Sequence, residues 1–233
     1  MDIDSLLELE LDTLWVSNTE GRLEKARTPE FRPPPAVLCA VSTTGRVIRR
    51  FSVGVDPTQQ EELDALIEHH DSAAGVGWQP NRAKELMRTL GVSTASYGPG
   101  FCGGHRAAKP ARLDAAATII TSNDTHPSEL AEMMDEQDRL SLLEPWVAIV
   151  VEARVASVCE TSRSHPRAVE AGLWTYEPYR GSGFATAATA AWTDLVAGRT
   201  IFYSAEASNV TSQAVARRVG FTPIGQLWGL FNE

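Results

Sequence analysis

An arginine, a serine and two glycines stand together at Arg180-Gly181-Ser182-Gly183, between a strand-like segment and an alanine-rich one. Residues 168–176 mix apolar and aromatic side chains as strands do, and Phe184 to Ala197 predicts a helix that ends before Gly198. Glycines let the backbone approach a ligand closely, and the first N–H groups of a helix have no partner within it. This order of strand, glycine turn and helix predicts an anion site, to which Arg180 adds a fixed positive charge.

Two well-known phosphate loops do not fit this turn. A P-loop closes a longer glycine loop with Lys-Ser or Lys-Thr, and a dinucleotide fingerprint has a third glycine with an acidic residue about twenty positions further on. Here the third glycine position is Ala185, and the next carboxylates are Asp194 and Glu206. The residues therefore favour another phosphorylated cofactor, and a simple nucleotide or phosphate binder stays open as an alternative.

The segment from Arg180 to Ala185 reads Arg-x-x-Gly-x-Ala, which resembles the acyl-CoA signature of the GNAT superfamily of N-acyltransferases. A second segment adds to this resemblance, because a strand-like run at 200–206 is followed by Asn209, a short helical segment and Gly220-Phe221. In this family the fifth strand is followed by an Asn, a short helix and a closing Gly-Phe at similar spacing. The resemblance covers residues 115–233.

The resemblance implies an α+β fold whose mixed, mostly antiparallel sheet is flanked by helices and opens in a V-shaped split between its central strands. Acetyl-CoA would be the cosubstrate, with its phosphates at the glycine turn and its pantetheine arm along the strand before it. No metal is expected. The cofactor-binding residues that the resemblance implies are Trp174, Thr175, Tyr176, Arg180, Gly181, Ser182, Gly183, Phe184, Ala185, Asn209 and Ser212.

Acetyl transfer to an amine needs a base for the amine, donors for the thioester oxygen and an acid for the leaving thiolate. Glu170 is the candidate base, because the histone acetyltransferase branch of the family has its catalytic glutamate near this place on the fourth strand. Many members have a Tyr seven residues after the Asn, where this chain has Ala216. Ser212 and Tyr203 are therefore the candidate acids, and strand N–H groups near Thr175 are candidate donors to the oxyanion.

Several alternatives stay open at this point. Glu170 could instead face solvent or pair with Arg163 or Arg167. Cys159 could act as a nucleophile, but no neighbour in the sequence activates its thiol, which favours a buried strand cysteine. The domain as a whole could be a catalytically inactive CoA-binding regulatory or structural module, an interpretation that the missing Tyr favours.

The chain of 233 residues has 43% hydrophobic residues, a net charge of −9 and a pI near 5.1. This acidic balance gives no broad basic surface, so we expect no nucleic-acid partner. The N-terminus lacks the basic region and apolar run of a signal peptide, and no segment approaches the roughly 18 apolar residues of a membrane span. Three widely spaced cysteines favour reduced thiols. We therefore expect a soluble, cytoplasmic protein without a membrane partner.

The first 110 residues contain no chemical motif and predict a smaller α/β part. The predicted elements are a strand at 6–16, a hairpin at 36–42 and 47–55, helices at 58–70 and 81–90, and a loop or linker at 93–112. Cys102 and His105 lie in that predicted loop, and two ligands alone make a weak metal site. The N-terminal part is expected to shape the acceptor pocket or to form a homodimer contact.

The second half is expected to form a GNAT-like domain at 115–233, separate from the N-terminal part at 1–110. Its predicted elements before the central strand are a strand at 118–121, a helix from about 127 to 140 capped by Asp124 or Thr125, strands at 146–151 and 155–160, and a polar loop at 163–167. The expected activity is transfer of an acetyl group from acetyl-CoA to an amine of an unidentified small-molecule or peptide acceptor.

Overall fold

The computed structural model describes residues 1–28, 33–67, 83–103, 117–134 and 142–231. These residues form two compact units. Residues 1–101, 204–210 and 223–233 make the first unit, and residues 102–203 and 211–222 make the second. The predicted domain boundary at 110–115 lies outside the described residues, so it stays a prediction.

The first unit combines three helices with two groups of strands. Its elements are α1 (Ile3–Leu14), β1 (Trp15–Ser17), β2 (Leu23–Ala26), β3 (Val37–Ser42), β4 (Val47–Phe51), α2 (Pro57–Ile67), α3 (Ala83–Leu90), β5 (Thr94–Gly103) and most of β11 (Phe221–Phe231). The strand β3 pairs antiparallel with β4 and with β11, which confirms the predicted hairpin. All six residues of β3 are buried, and Leu63 and Leu66 of α2 pack with Val37, Cys39 and Val41 on one face of the strand.

The second unit carries the predicted coenzyme turn. Its elements are β6 (Ala117–Thr121), α4 (Pro127–Glu132), β7 (Trp146–Val151), β8 (Arg154–His165), β9 (Ala168–Thr175), a 3-10 turn (Glu177–Tyr179), α5 (Phe184–Leu195), β10 (Thr200–Ser204) and α6 (Val210–Val219). The strands β6 to β9 pair antiparallel in order, and β10 pairs with β9 in parallel across the α5 connection. The predicted fold class, a mixed and mostly antiparallel sheet flanked by helices, is confirmed.

A buried tryptophan fixes α5 against the sheet of the second unit. Trp192 is fully buried, and its indole N–H donates to the carbonyl of Pro145 at 3.0 Å and lies 3.3 Å from the hydroxyl of Thr161 on β8. Because an indole N–H is costly to bury without an acceptor, these contacts select one orientation of the ring. The helix that follows the glycine turn therefore has a fixed position over β8.

Two predicted elements of the first unit were wrong. The segment 6–16 is mostly helix, because Asp2 caps it by accepting from the N–H of Ser5 at 2.8 Å, and because Leu7 and Leu11 lie one turn apart on its buried face. The alternation of leucine and glutamate in this stretch suggested a strand, although both residues are good helix formers. The helix ends at Leu14, and the short strand β1 follows.

The predicted loop at 93–112 is instead a strand, β5, up to Gly103. Its glycines allow close approach of neighbouring atoms rather than a turn. A Cβ on Gly98 would lie 1.8 Å from the carbonyl oxygen of Ala205, and a Cβ on Gly100 would lie 2.4 Å from the carboxylate of Glu10. The remaining part of the predicted loop, with His105, lies outside the described residues.

Smaller differences concern the ends of elements in the second unit. The cap of α4 is His126, whose ring accepts from the N–H of Ser128, and not Asp124 or Thr125. The strand β8 continues to His165 through most of the predicted polar loop. The helix predicted from about 127 to 140 ends earlier, at Glu132, with Met133 as its C-cap. Residues 135–140, and the predicted extensions of α2 to residue 70 and of α3 back to residue 81, fall outside the described residues. No described helix has the length and apolar character needed to cross a membrane.

Candidate coenzyme site

The glycine turn adopts the backbone conformation that only glycine takes easily. Gly181 and Gly183 both have φ near +82°, in the left-handed region. Gly183 is the N-cap of α5, and in the described part of the chain no side chain caps this helix end. The first N–H groups of α5 are consequently open to an external acceptor, at the positive end of the helix dipole. This geometry suits a phosphate group.

Side chains on both sides hold the turn in place. The guanidinium Nε of Arg180 donates to the carbonyl of Thr175 at 3.3 Å, while the side chain as a whole stays exposed. The ring of Tyr179 lies 6.2 Å from that of Phe184, whose side chain is buried at the start of α5. Arg180 therefore ties the turn to the end of β9 and presents its positive charge to solvent.

The two central strands diverge just before this turn. The strands β9 and β10 pair only as far as Glu170 and Phe202, whereas β9 continues from Ala171 to Thr175. The backbone of these last residues of β9 is no longer paired with β10. The V-shaped split that the resemblance implies is therefore present.

Alternate residues of β9 direct their backbone groups to opposite sides. Towards β8, the N–H of Tyr176 donates to the carbonyl of Ala156 at 3.0 Å. Towards β10, the carbonyl of Arg167 accepts from the N–H of Thr200 at 3.0 Å. Because this alternation is regular along a strand, Leu173 and Thr175 direct their backbone groups into the split.

This alternation separates the three predicted pantetheine contacts. Thr175 points its backbone into the split, but Trp174 and Tyr176 point theirs towards β8, where the carbonyl of Trp174 accepts from the hydroxyl of Ser157 at 3.0 Å. Leu173 was not among the sequence-based candidates. The period of two along the strand is the signal that could have selected Leu173 together with Thr175.

The two candidate acids lie together. The phenol oxygen of Tyr203 on β10 is 2.8 Å from the hydroxyl of Ser212 on α6. Tyr203 is 1% exposed, and burial is the main cause that raises the pKa of its phenol to about 12; Cys159 and Glu170 add smaller contributions in the same direction. Tyr203 is therefore protonated at neutral pH. Ala216, at the position of the family's usual Tyr, is fully buried.

Glu170 lies where the split begins. It is 3% exposed, which excludes the alternative that its side chain faces solvent, and its Cα partner on β8 is Arg163. Its backbone carbonyl accepts from the hydroxyl of Ser162 at 3.2 Å. The carboxylate is close enough to Tyr203 to affect the titration of the phenol. Glu170, Tyr203 and Ser212 are thus brought into one part of the second unit.

A second carboxylate, Glu160 on β8, was not among the sequence-based candidates. It lies opposite Gly172 on β9, and a Cβ on that glycine would lie 3.2 Å from Cγ of Glu160. The carboxylate accepts from the N–H of Leu143 at 2.8 Å, and burial raises its pKa above the ordinary range. A raised pKa is what a general base working near neutral pH requires. In the sequence, the feature that could have indicated Glu160 is Gly172, which lies opposite it on β9.

The remaining candidates are Asn209, the Cys159 thiol and a possible metal site. Asn209 lies in the stretch 204–210 of the first unit; it is exposed, and its N–H donates to the carbonyl of Glu206 at 2.9 Å. Cys159 is fully buried, and burial raises the pKa of its thiol far above neutrality, which argues against a nucleophile. Among the described residues, no three His, Cys, Asp or Glu side chains cluster as metal ligands would.

The sheet with its split, followed by the uncapped glycine turn and α5, defines the class of this protein as an α+β protein with the GNAT-like fold. Residues 107–222 match the family model described as an acetyltransferase (GNAT) domain. The C-terminal half of the chain therefore belongs to the GNAT superfamily.

Several solved structures are similar to this chain. A GCN5-related N-acetyltransferase from Kribbella flavida has 12% identity and a TM-score of 0.49, with 97% of this chain and 94% of that chain covered. The protein yncA from Salmonella typhimurium, solved with its cofactor acetyl-CoA, has 14% identity and a TM-score of 0.39 over 50% of this chain and 94% of that one. A Drosophila protein has 17% identity and a TM-score of 0.45, with 65% of this chain covered. This chain spans only 57% of the length of the Drosophila protein. No curated protein matches the chain.

Proposed function

We propose that this protein is an N-acetyltransferase that moves an acetyl group from acetyl-CoA to an amine. One observation carries the proposal: an uncapped helix N-terminus, behind two glycines with positive φ, directly follows a strand that has separated from its parallel neighbour. A phosphate binder needs only the helix end. The diverged strand adds an extended row of backbone groups, which suits an extended, amide-containing arm such as pantetheine.

The residues present fit acetyl-CoA. The N–H groups that begin α5 would bind the pyrophosphate, with Arg180 adding a positive charge beside it. The backbone of Leu173 and Thr175 would bind the pantetheine amides, as in the addition of a strand to a sheet edge. The cofactor-binding roles of Gly181, Ser182, Gly183, Phe184, Ala185, Asn209 and Ser212 stay part of this proposal.

Chemically, the amine nitrogen attacks the thioester carbonyl carbon, the carbon–sulfur bond breaks, and the amine's proton passes to a base. Glu170 is the proposed base, in contact or through a water, and Glu160 is the second carboxylate that fits this role. The backbone N–H groups of β9 that point into the split are the proposed donors to the oxyanion.

Tyr203 is the proposed acid for the leaving thiolate. Its hydroxyl carries a proton throughout the neutral range, and Ser212 at 2.8 Å orients that hydroxyl. After Tyr203 has protonated the thiolate, Ser212 can relay a proton from solvent back to the phenolate. In this proposal the pair Tyr203 and Ser212 takes the role of the Tyr that Ala216 replaces.

A catalytically inactive CoA-binding module is the second candidate function, and the buried Ala216 is the observation that favours it. Thiol release from acetyl-CoA in the presence of a panel of small amines and lysine peptides separates the two. The acetyltransferase proposal expects amine-dependent release that falls about a hundredfold in kcat for Tyr203→Phe, since general acids contribute 10²–10⁴-fold. A wild-type protein that binds acetyl-CoA but releases no thiol with any amine would establish the inactive module.

The acceptor class, a cytoplasmic location and a homodimer stay predictions. Gel filtration with light scattering measures the oligomeric state directly, and the elution mass of a dimer is the expected result if the first unit supplies a dimer contact.

A further inference from the structure

The first unit contains a cavity of its own, of about 290 Å³, which is near the lower end of the ~300–1,000 Å³ range of small-molecule pockets. Every described residue that lines it belongs to the first unit. Its lining includes Trp15, Leu38, Tyr97, Glu206 and Phe231. In all, the described lining has four aromatic residues, three leucines and a single carboxylate.

The aromatic wall is formed by specific packing. The rings of Trp15 and Phe231 lie 6.3 Å apart at 45°, a tilted arrangement that favours contact between ring edge and face. Gly229 on β11 makes room for this wall, because a Cβ there would lie 3.1 Å from the ring of Phe231. Leu38 is the partner of Gly229 across the β3–β11 pair, so the cavity lies over the same face of the strands.

The backbone holds Glu206 at this cavity. The N–H of Ala207 donates to the carbonyl of Tyr97 at 2.9 Å, and the N–H of Ala205 donates to the carbonyl of Pro99 at 3.3 Å. The hydroxyl of Ser96 donates to the Glu206 carboxylate. A carboxylate accepts several hydrogen bonds at once, so it can bind a ligand N–H group in addition to these contacts.

The chemistry of the lining selects the charge of a ligand. A carboxylate attracts a cation, and the faces of tryptophan and tyrosine rings do the same through their quadrupoles. The described lining residues include no Lys or Arg, so this part of the lining has a net negative charge and does not attract an anion. The small volume and the apolar walls favour one ring with a short chain. We propose that this cavity binds a primary ammonium group attached to a small aromatic body.

Binding at this cavity does not require the coenzyme turn, which belongs to the other unit. The further step, that such an arylalkyl amine is the acetyl acceptor, rests on the proposed function. The two proposals can therefore fail separately, and the experiment measures amine binding without acetyl-CoA.

The test is a calorimetric titration with 2-phenylethylamine, and 2-phenylethanol and ethylamine serve as matched ligands. The alcohol has the ring without the charge, and ethylamine has the charge without the ring. Since exposed ion pairs and cation–π contacts each change affinity by several-fold, the amine should bind about tenfold more tightly than the alcohol. Ethylamine should bind more weakly than either ligand that has a ring.

Glu206→Gln should reduce the roughly tenfold preference for the amine to the several-fold preference that the aromatic rings alone supply, while leaving alcohol binding unchanged, which also shows that the variant is folded. Glu61→Gln, on the exposed surface of α2, is the control and should behave as wild type. Equal binding of amine and alcohol to the wild type, no binding of either, or an unchanged preference in Glu206→Gln would overturn the proposal. Amine binding by a protein that does not bind acetyl-CoA would preserve this inference and refute the acetyltransferase.

Discussion

The glycine turn before α5 and the cavity of the first unit are two candidate binding sites made in different ways. The turn is formed by backbone: two positive-φ glycines, an uncapped helix end and the unpaired edge of β9. The cavity is formed by residues that come from α1, β1, β3, β5, β11 and the stretch that ends β10 and follows it. The first uses fixed dipoles suited to a phosphate, and the second uses rings and a carboxylate suited to an organic cation.

This difference decides what the sequence can predict. A backbone site is formed by residues that are consecutive in the sequence, so the segment from Arg180 to Ala185 predicted both the turn and the family. The split at β9 was then expected from the resemblance to that family. The cavity residues Trp15, Tyr97, Glu206 and Phe231 are dispersed along the chain, and none of them is distinctive alone. Only the fold brings them together.

The errors have the same origin. The segment 6–16 alternates leucine with acidic residues over a short length, and its helix is decided by the cap at Asp2 and by burial of Leu7 and Leu11. The glycines of β5 indicated a loop because sequence alone cannot tell a turn glycine from one that Ala205 or Glu10 approaches closely. Leu173 was missed because the alternation along β9, not its residue type, points its backbone into the split. Glu160 was missed because only the fold places it opposite Gly172 on β9.

The largest effect should come from the side chains that we propose for catalysis in the second unit. Glu170→Gln should lower kcat at least about a hundredfold with little change in the affinity for acetyl-CoA, as expected for a general base. Glu160→Gln is the matched variant, with the same change on the neighbouring strand. Stopped-flow thiol release measures both. If Glu160→Gln is the more damaged variant, the base is assigned to the wrong carboxylate.

The backbone site should be sensitive to charge at the turn. Gly181→Asp should weaken acetyl-CoA binding by about a hundredfold, since placing like charges together costs several kcal/mol. Gly198→Asp is the control, because both glycines have positive φ and no atom within 4 Å of an added Cβ. It lies after the other end of α5, so it matches the strain without the site. Equal loss in both variants would show that the effect is strain and not anion binding.

The buried phenol of Tyr203 should make the free energy of unfolding depend on pH in the alkaline range. Because the pKa of Tyr203 is raised from 10.0 to about 12, its stabilising contribution is complete below pH 10 and is lost as the pH rises towards 12. The full loss is about 3 kcal/mol, from 1.36 kcal/mol per pKa unit over two units. Urea unfolding of wild type and Tyr203→Phe between pH 8 and about 12 measures it. Parallel pH dependences of the two proteins would contradict the burial of this phenol.

The smallest effect should be on ligand affinity at the cavity of the first unit, because its aromatic rings can shift to accommodate a small substitution. Gly229→Ala should displace the ring of Phe231, which lies 3.1 Å from the added Cβ, and weaken 2-phenylethylamine binding by roughly threefold to fivefold. Acetyl-CoA affinity should not change. Tryptophan fluorescence measures the amine titration. Gly54→Ala, where a Cβ would have ordinary contact at 3.6 Å with Ser52, is the control. An unchanged amine affinity in Gly229→Ala would place the ligand away from this wall.

The most direct test of the central claim is calorimetric titration of the wild-type protein with acetyl-CoA, CoA and ATP. An acetyltransferase that uses both the glycine turn and the split should bind acetyl-CoA and CoA selectively, because ATP has phosphates but lacks the pantetheine arm that is proposed to contact Leu173 and Thr175. Binding of ATP as tight as that of acetyl-CoA, or no binding of acetyl-CoA, would contradict the claim and leave a phosphate-binding turn without the activity of its family.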